Sequence, residues 1–271
     1  MLELQLDLFS DAARRSDFVP ESPQAPLAPA ELDDEAFIEA LAQSRLAESA
    51  QLAAEAARRR LIAAVPALAD LCLRLAGFGM DRLVPEQAAA LEALAAIGGR
   101  EAAQAVAEMI ARATFAGPTL QLAVNAAARL RASLPVDVLQ SLLRHPQPGI
   151  RADACRCARA LPSVIKLLIE CLNDGDKIVA RSAACALGTM GRVEARPMIK
   201  NLLRHASSPD VIEAAVSIAD EECVVLLGRI ARTAPALADS ALDALESIDH
   251  PRAETIAASV RAARGQTENA A

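Results

Sequence analysis

Small residues recur along the chain at a near-constant interval. Ala90, Ala123, Ala154, Ala184 and Ala215 are separated by 33, 31, 30 and 31 residues, and a looser unit follows around Ala241, in the segment Leu237 to Leu245. An interval near 30 accommodates two helices and their turns but no independent core. Each unit must therefore bury its apolar face on its neighbours, which predicts stacked helical hairpins with the small anchor on the second helix of each pair.

The two central units match best. Ile150-Arg151-Ala152-Asp153-Ala154-Cys155 lies 30 residues before Ala180-Arg181-Ser182-Ala183-Ala184-Cys185, so that Arg, Ala and Cys coincide. Turn residues fall where the period requires them, at Gly98-Gly99, Leu134-Pro135, His145-Pro146, Asn173-Asp174-Gly175, Gly191, Ser208-Pro209 and His250-Pro251. Hydrophobic residues make up 53% of the chain, but only 2% are aromatic, with no Trp or Tyr. A core of repeated Ala and Leu contacts is implied, and a deep small-molecule pocket is not expected.

The repeats account for residues 61–264. Residues 1–32 read as a tail: an apolar and acidic head, then a polyproline-like spacer with Pro20, Pro23, Pro26 and Pro29 at every third position. Residues 33–60 read as one leading helix, capped by Asp33 and Asp34, with Phe37, Ile38, Leu41, Leu46, Leu52 and Ala56 on its apolar face. Residues 265–271 read as a disordered tail.

Asp174-Gly175-Asp176, followed by Val179-Ala180-Arg181, Ala184, Ala186-Leu187-Gly188 and Gly191, resembles the HEAT-repeat signature, including its HEAT-like lyase subgroup. The likeness is strongest over 164–204, moderate over 136–163 and weak at both ends, where terminal repeats degenerate. It implies an all-α fold, a right-handed α-solenoid of HEAT-like hairpins, whose concave surface binds protein or nucleic acid. Arg151 and Arg181 match the family's structural Arg, which pairs across repeats with an Asp such as Asp174 or Asp176.

Gln5-Leu6-Asp7-Leu8-Phe9, outside the repeats, resembles the bacterial sliding-clamp-binding pentapeptide. The resemblance implies that Gln5 hydrogen-bonds at the clamp pocket, Leu8 and Phe9 fill an apolar cleft, and Leu6 and Asp7 lie between. Independently, a Leu and a Phe on an acidic tail bury nothing locally and need a partner to cover them. The alternative is structural: Leu2, Leu4, Leu6 and Leu8 alternate with polar residues and would form an extended edge or fold back on the first repeat.

Net charge is −7, unevenly spread: −9 over 1–56, +1 over 57–128, +7 over 129–204 and −6 over 205–271. The basic middle holds Arg129, Arg131 and a set of candidate contacts to duplex DNA or an acidic partner: Arg144, Arg156, Arg159, Lys166, Lys177, Arg192, Arg196, Lys200 and Arg204. Cations on successive repeats would track phosphates, whereas a merely solvated face would carry them just as well. The absent Trp and Tyr remove the usual stacking platforms for single strands.

Catalytic signals are thin. His145, His205 and His250 stand at separate turns with no nucleophile beside them, and no spacing of Cys or His suits a metal. The six cysteines sit in apolar helical stretches and read as reduced core residues. Asp220-Glu221-Glu222 reads as the acidic start of a helix. No apolar run approaches the roughly 18 residues that span a bilayer, and no basic segment leads a hydrophobic core at the N-terminus.

The expectation is a cytoplasmic, non-enzymatic adaptor without cofactor, metal, membrane contact or small-molecule substrate. Its tail would bind the bacterial sliding clamp and its solenoid a second protein or duplex DNA. The alternatives are a protein-only scaffold or assembly factor, such as the HEAT-like subunits that assist pigment attachment, or a HEAT-like DNA glycosylase. The glycosylase resemblance calls for an aromatic-lined groove and a catalytic carboxylate, and neither can be singled out in the sequence.

Overall fold

The computed structural model describes residues 28–268. The clamp-like pentapeptide and most of the proline spacer lie outside this range. The described residues form helices without strands: α1 (Asp34–Gln43), α2 (Leu46–Arg59), α3 (Val65–Arg74), α4 (Pro85–Ile97), α5 (Gly99–Ala111), α6 (Gly117–Arg129), α7 (Val136–Leu143) and α8 (Pro148–Arg156). They continue with α9 (Pro162–Cys171), α10 (Lys177–Thr189), α11 (Arg196–His205), α12 (Pro209–Val216), α13 (Glu221–Thr233), α14 (Ala238–Ser247) and α15 (Pro251–Glu268).

Local chemistry explains the boundaries. Proline in the first or second position opens α3, α4, α6, α8, α9, α11 and α12, where its missing N–H costs no hydrogen bond. Asp33, Asp176 and Asp220 cap α1, α10 and α13 by accepting from the amides of Ala36 (2.9 Å), Ile178 (2.8 Å) and Cys223 (3.0 Å). Several helices close on a left-handed residue that lets the next amide reach back to a free carbonyl: Arg60 after α2, Ala113 after α5, Arg131 after α6 and Gly191 after α10. Gly98 alone separates α4 from α5.

The helices stack in two rows, which makes the fold an all-α solenoid. Even-numbered helices pack each on the next from α2 to α14; odd-numbered helices form the second row, weakest between α5 and α7 and between α9 and α11. The even row, packed without a break from α2 to α14, is called the inner row and the odd row the outer. All six anchors, Ala90, Ala123, Ala154, Ala184, Ala215 and Ala241, lie on even helices at 0% exposure, at the contact between rows. A methyl group there lets backbones approach closely.

Gly188 carries this furthest. A Cβ on it would stand 2.6 Å from the Ala214 carbonyl oxygen on α12. The junction between α3 and α4 is held differently: buried Gln87 donates through Nε2 to the carbonyl oxygens of Cys72 (3.0 Å) and Leu75 (3.1 Å), satisfying the end of α3.

Three expected boundaries shift. Residues 33–60 are not one helix: the chain breaks at Ser44, whose amide and hydroxyl both donate to the Leu41 carbonyl, and α1 and α2 become the first hairpin of the stack. Residues 29–31 form a 3-10 turn fastened to α2, because Arg59 Nη2 donates to the Pro29 carbonyl at 2.7 Å. Arg59 also pairs with Asp34 at 3.1 Å and lies 4.7 Å from the centre of the Phe37 ring, so one side chain seals the N-terminal end. At the other end α15 runs on to Glu268.

Candidate interaction groove

Arginines on the even row serve structure first. Arg151 on α8 spans the turn before α10, with Nε and Nη2 each 2.8 Å from an oxygen of Asp174 and Nη1 donating to the carbonyl oxygens of His145 (2.8 Å) and Pro146 (2.9 Å). The guanidinium holds the Asp174 carboxyl below the ordinary carboxylate range. Arg181 on α10 repeats the reach one unit on, where it bonds the Ser208 hydroxyl and pairs with Asp210 rather than with Asp174 or Asp176.

The basic middle then divides. Arg196, Lys200 and Arg204 share one face of α11, and the next odd helix neutralises them: Lys200 Nζ lies 2.6 Å from Asp220 and 2.8 Å from Glu222, Arg204 pairs with Glu222, and Arg196 donates to the Ile218 carbonyl at 2.8 Å. Arg192 is bound by Glu194 at 2.7 Å, Arg129 by Glu92 at 2.8 Å and Arg156 by the buried Asp153. Lys166 and Arg144 lie exposed on the outer row, on α9 and at the end of α7. Lys177 is exposed at the start of α10.

Carboxylates of the following repeat thus meet the α11 charge, while Arg144, Arg159, Lys166 and Lys177 carry no ion pair among the described residues. At the C-terminal ends of α6 and α8, the structure brings Arg156 and Arg159 together with Arg131. Two adjoining clefts open there. One, of about 570 Å³, runs along α5 past Arg100, Ala103, Gln104 and Ala107 to Pro135. The other, of about 470 Å³, crosses α8, α10 and α12 over Cys157, Ala158, Ser182, Ala186 and Met190 to Asp210 and Glu213. Arg131, Ala132 and Arg159 line both.

Arg100 is not among the residues that the sequence puts forward, and Arg131 is named only with the basic middle as a whole. The signal that marks Arg131 is its position 60 residues before Gly191, two periods away, at an equivalent left-handed helix end.

The groove has no nucleophile poised in it. Burial pushes the Cys157 and Cys185 thiols up to about 12, so neither forms a thiolate at neutral pH. The neighbouring Cys171 and burial push the Cys155 thiol up as well. Among the described residues no three His, Cys, Asp or Glu side chains gather in a way that would hold a metal ion.

Residues 136–219 match the family model of HEAT repeats. This HEAT segment runs from α7 to the turn after α12 and coincides with the stretch whose internal repeat is most regular. It contains the Arg151–Asp174 and Arg181–Asp210 bridges and one wall of the groove, while the α5 and α6 wall lies before it. No curated protein matches the chain. Among the described residues no helix is long and apolar enough to cross a membrane.

Proposed function

We propose that the protein is a non-enzymatic cytoplasmic adaptor, in which the solenoid grips a second protein through its inner face and residues 5–9 tether the assembly to the bacterial sliding clamp. The observation that carries the gripping role is the groove that passes from α5 of the odd row onto α8, α10 and α12 of the even row: an open surface with a small-residue floor and exposed arginines. HEAT repeats over 136–219 are consistent with a protein scaffold. Duplex DNA fits the same surface less well, because Asp210 and Glu213 line its far wall, and the cations of α11, on the other row, are already matched by Asp220 and Glu222.

The tether rests on Gln5-Leu6-Asp7-Leu8-Phe9 and on the proline-spaced chain behind it. Full-length protein is expected to bind purified bacterial clamp and to lose that binding on combined Leu8→Ala and Phe9→Ala substitution. Equal affinity of the variant in surface plasmon resonance would refute the tether and leave a protein-only scaffold.

A further inference from the structure

We propose that Arg131 and Arg159 form the anion-reading mouth of the inner groove, and that its occupant is an extended acidic segment of a protein partner. The inference rests on reading the solenoid as a binding scaffold and names the chemistry it recognises.

Arg131 does nothing visible for the fold. It is exposed, and among the described residues no carboxylate lies within ion-pairing distance of it. Its backbone nevertheless adopts φ +51°, at the residue that closes α6 while the Ala132 amide donates back to the Ala127 carbonyl at 2.8 Å. The equivalent residue closing α10 is Gly191, at φ +71°, with Arg192 donating to Leu187 at 2.9 Å. Glycine adopts this conformation without strain, while an L side chain is strained in it. Ala113 closes α5 in the same conformation with no side-chain role, so the backbone alone marks no site; what singles out Arg131 is an exposed guanidinium without an ion pair at the junction of the two clefts.

Arg159 is the second member. It lies exposed in the irregular segment after α8, likewise without an ion pair, although the bases around it are matched: Arg156 by Asp153, Arg151 by Asp174, Arg129 by Glu92. Arg131 and Arg159 both border the two clefts, so a chain running from one cleft to the other passes between them.

The floor at this point is Ala132, Cys157 and Ala158, small side chains that let a backbone lie close. Paired guanidinium groups offer forked donors that match carboxylates. Among the described residues three unpaired cations, Arg100, Arg131 and Arg159, line the clefts, too few to follow a duplex, whose binding proteins neutralise about 6–10 phosphates. Glu213, exposed on the α12 wall, and Glu108, exposed on the α5 wall, both repel phosphate, so the acidic residues of the occupant lie between them, at Arg131 and Arg159.

The test uses the full-length chain and a fluorescein-labelled peptide of Glu-Leu-Ala triplets, followed by anisotropy at low salt. The wild-type protein binds it and does not bind a matched Lys-Leu-Ala peptide. Arg131→Gly combined with Arg159→Gln weakens binding about tenfold or more, the loss of two charge-assisted contacts.

Arg131→Gly alone weakens binding while raising the thermal midpoint by about 2–4 °C, a pairing of signs that a merely structural role would not produce. Absence of Glu-peptide binding, unchanged affinity of the double variant, or equal binding of the Lys peptide overturns the proposal. So does tighter binding of a short duplex DNA that the same substitutions abolish. Any of these, with clamp binding through Leu8 and Phe9 intact, removes the groove assignment and leaves the tether standing.

Discussion

Asp174, in the turn before α10, is held by both arms of Arg151 from α8, two contacts of 2.8 Å between side chains only 14% and 18% exposed. Such a pair differs from a surface ion pair because its desolvation has already been met, so that removing one partner strands the other. Asp174→Ala is expected to cost about 3 kcal/mol in urea unfolding. A loss below about 1 kcal/mol would place the bridge among ordinary surface pairs.

Acid should strip stability at the α11–α13 ladder. Burial raises the Asp220 carboxyl, but the Lys200 ammonium and the Cys223 amide outweigh it and hold the group down to about 2. An unfolded Asp titrates near 4. Because the folded value is the lower, this contribution is fully present above about pH 4 and is lost as pH falls toward 2. Lys200→Met should flatten that part of the stability–pH curve, as followed by circular dichroism; an unchanged acid slope would assign it to other carboxylates.

Close packing of even helices makes Gly188 intolerant of even one methyl group. A Cβ would meet the Ala214 carbonyl oxygen at 2.6 Å and the Ala214 Cβ at 2.9 Å. Helix propensity favours Ala over Gly by about 1 kcal/mol, whereas overpacking a rigid contact costs about 1–3 kcal/mol. Gly188→Ala is therefore expected to lose net stability by chemical denaturation, while Gly175→Ala, with open space around it, changes it by less than about 0.5 kcal/mol.

Ala113 closes α5 in the left-handed region at φ +53°, exposed and without a side-chain role. Ala113→Gly should stabilise the protein by about 1 kcal/mol through relief of that strain. A neutral or destabilising result in thermal unfolding would show that the entropy gained by the unfolded chain outweighs it.

The periodic part of the molecule is legible in the sequence. Ala90 through Ala241 mark the buried line between rows because a stacked helix tolerates only a small residue there, and that constraint repeats with every unit. Arg151 is legible because Arg181 recurs at the same place one unit on, although the partner does not: Asp174 lies 23 residues beyond Arg151 and Asp210 lies 29 beyond Arg181. The break at Ser44 is not legible, because the flanking residues are all good helix formers and packing of α2 on α4 sets the turn. Nor is the fate of the cations. Lys200 and Arg204 read as available until Asp220 and Glu222 are brought over them by the stack, whereas Arg131, unremarkable in a run of basic residues, stands out only once its neighbours are seen to be matched.

The stacking of even helices one on the next gives the inner face a mechanical property. Each contact in that row reaches only the adjacent unit, so a small tilt at every step adds up along the array, as in a coil spring. The arginines at the groove sit on different units, Arg131 after α6 and Arg159 after α8, and winding the coil tighter brings them together while unwinding parts them. A ligand that bridged both arginines, as proposed above, would fix the spacing of those two units.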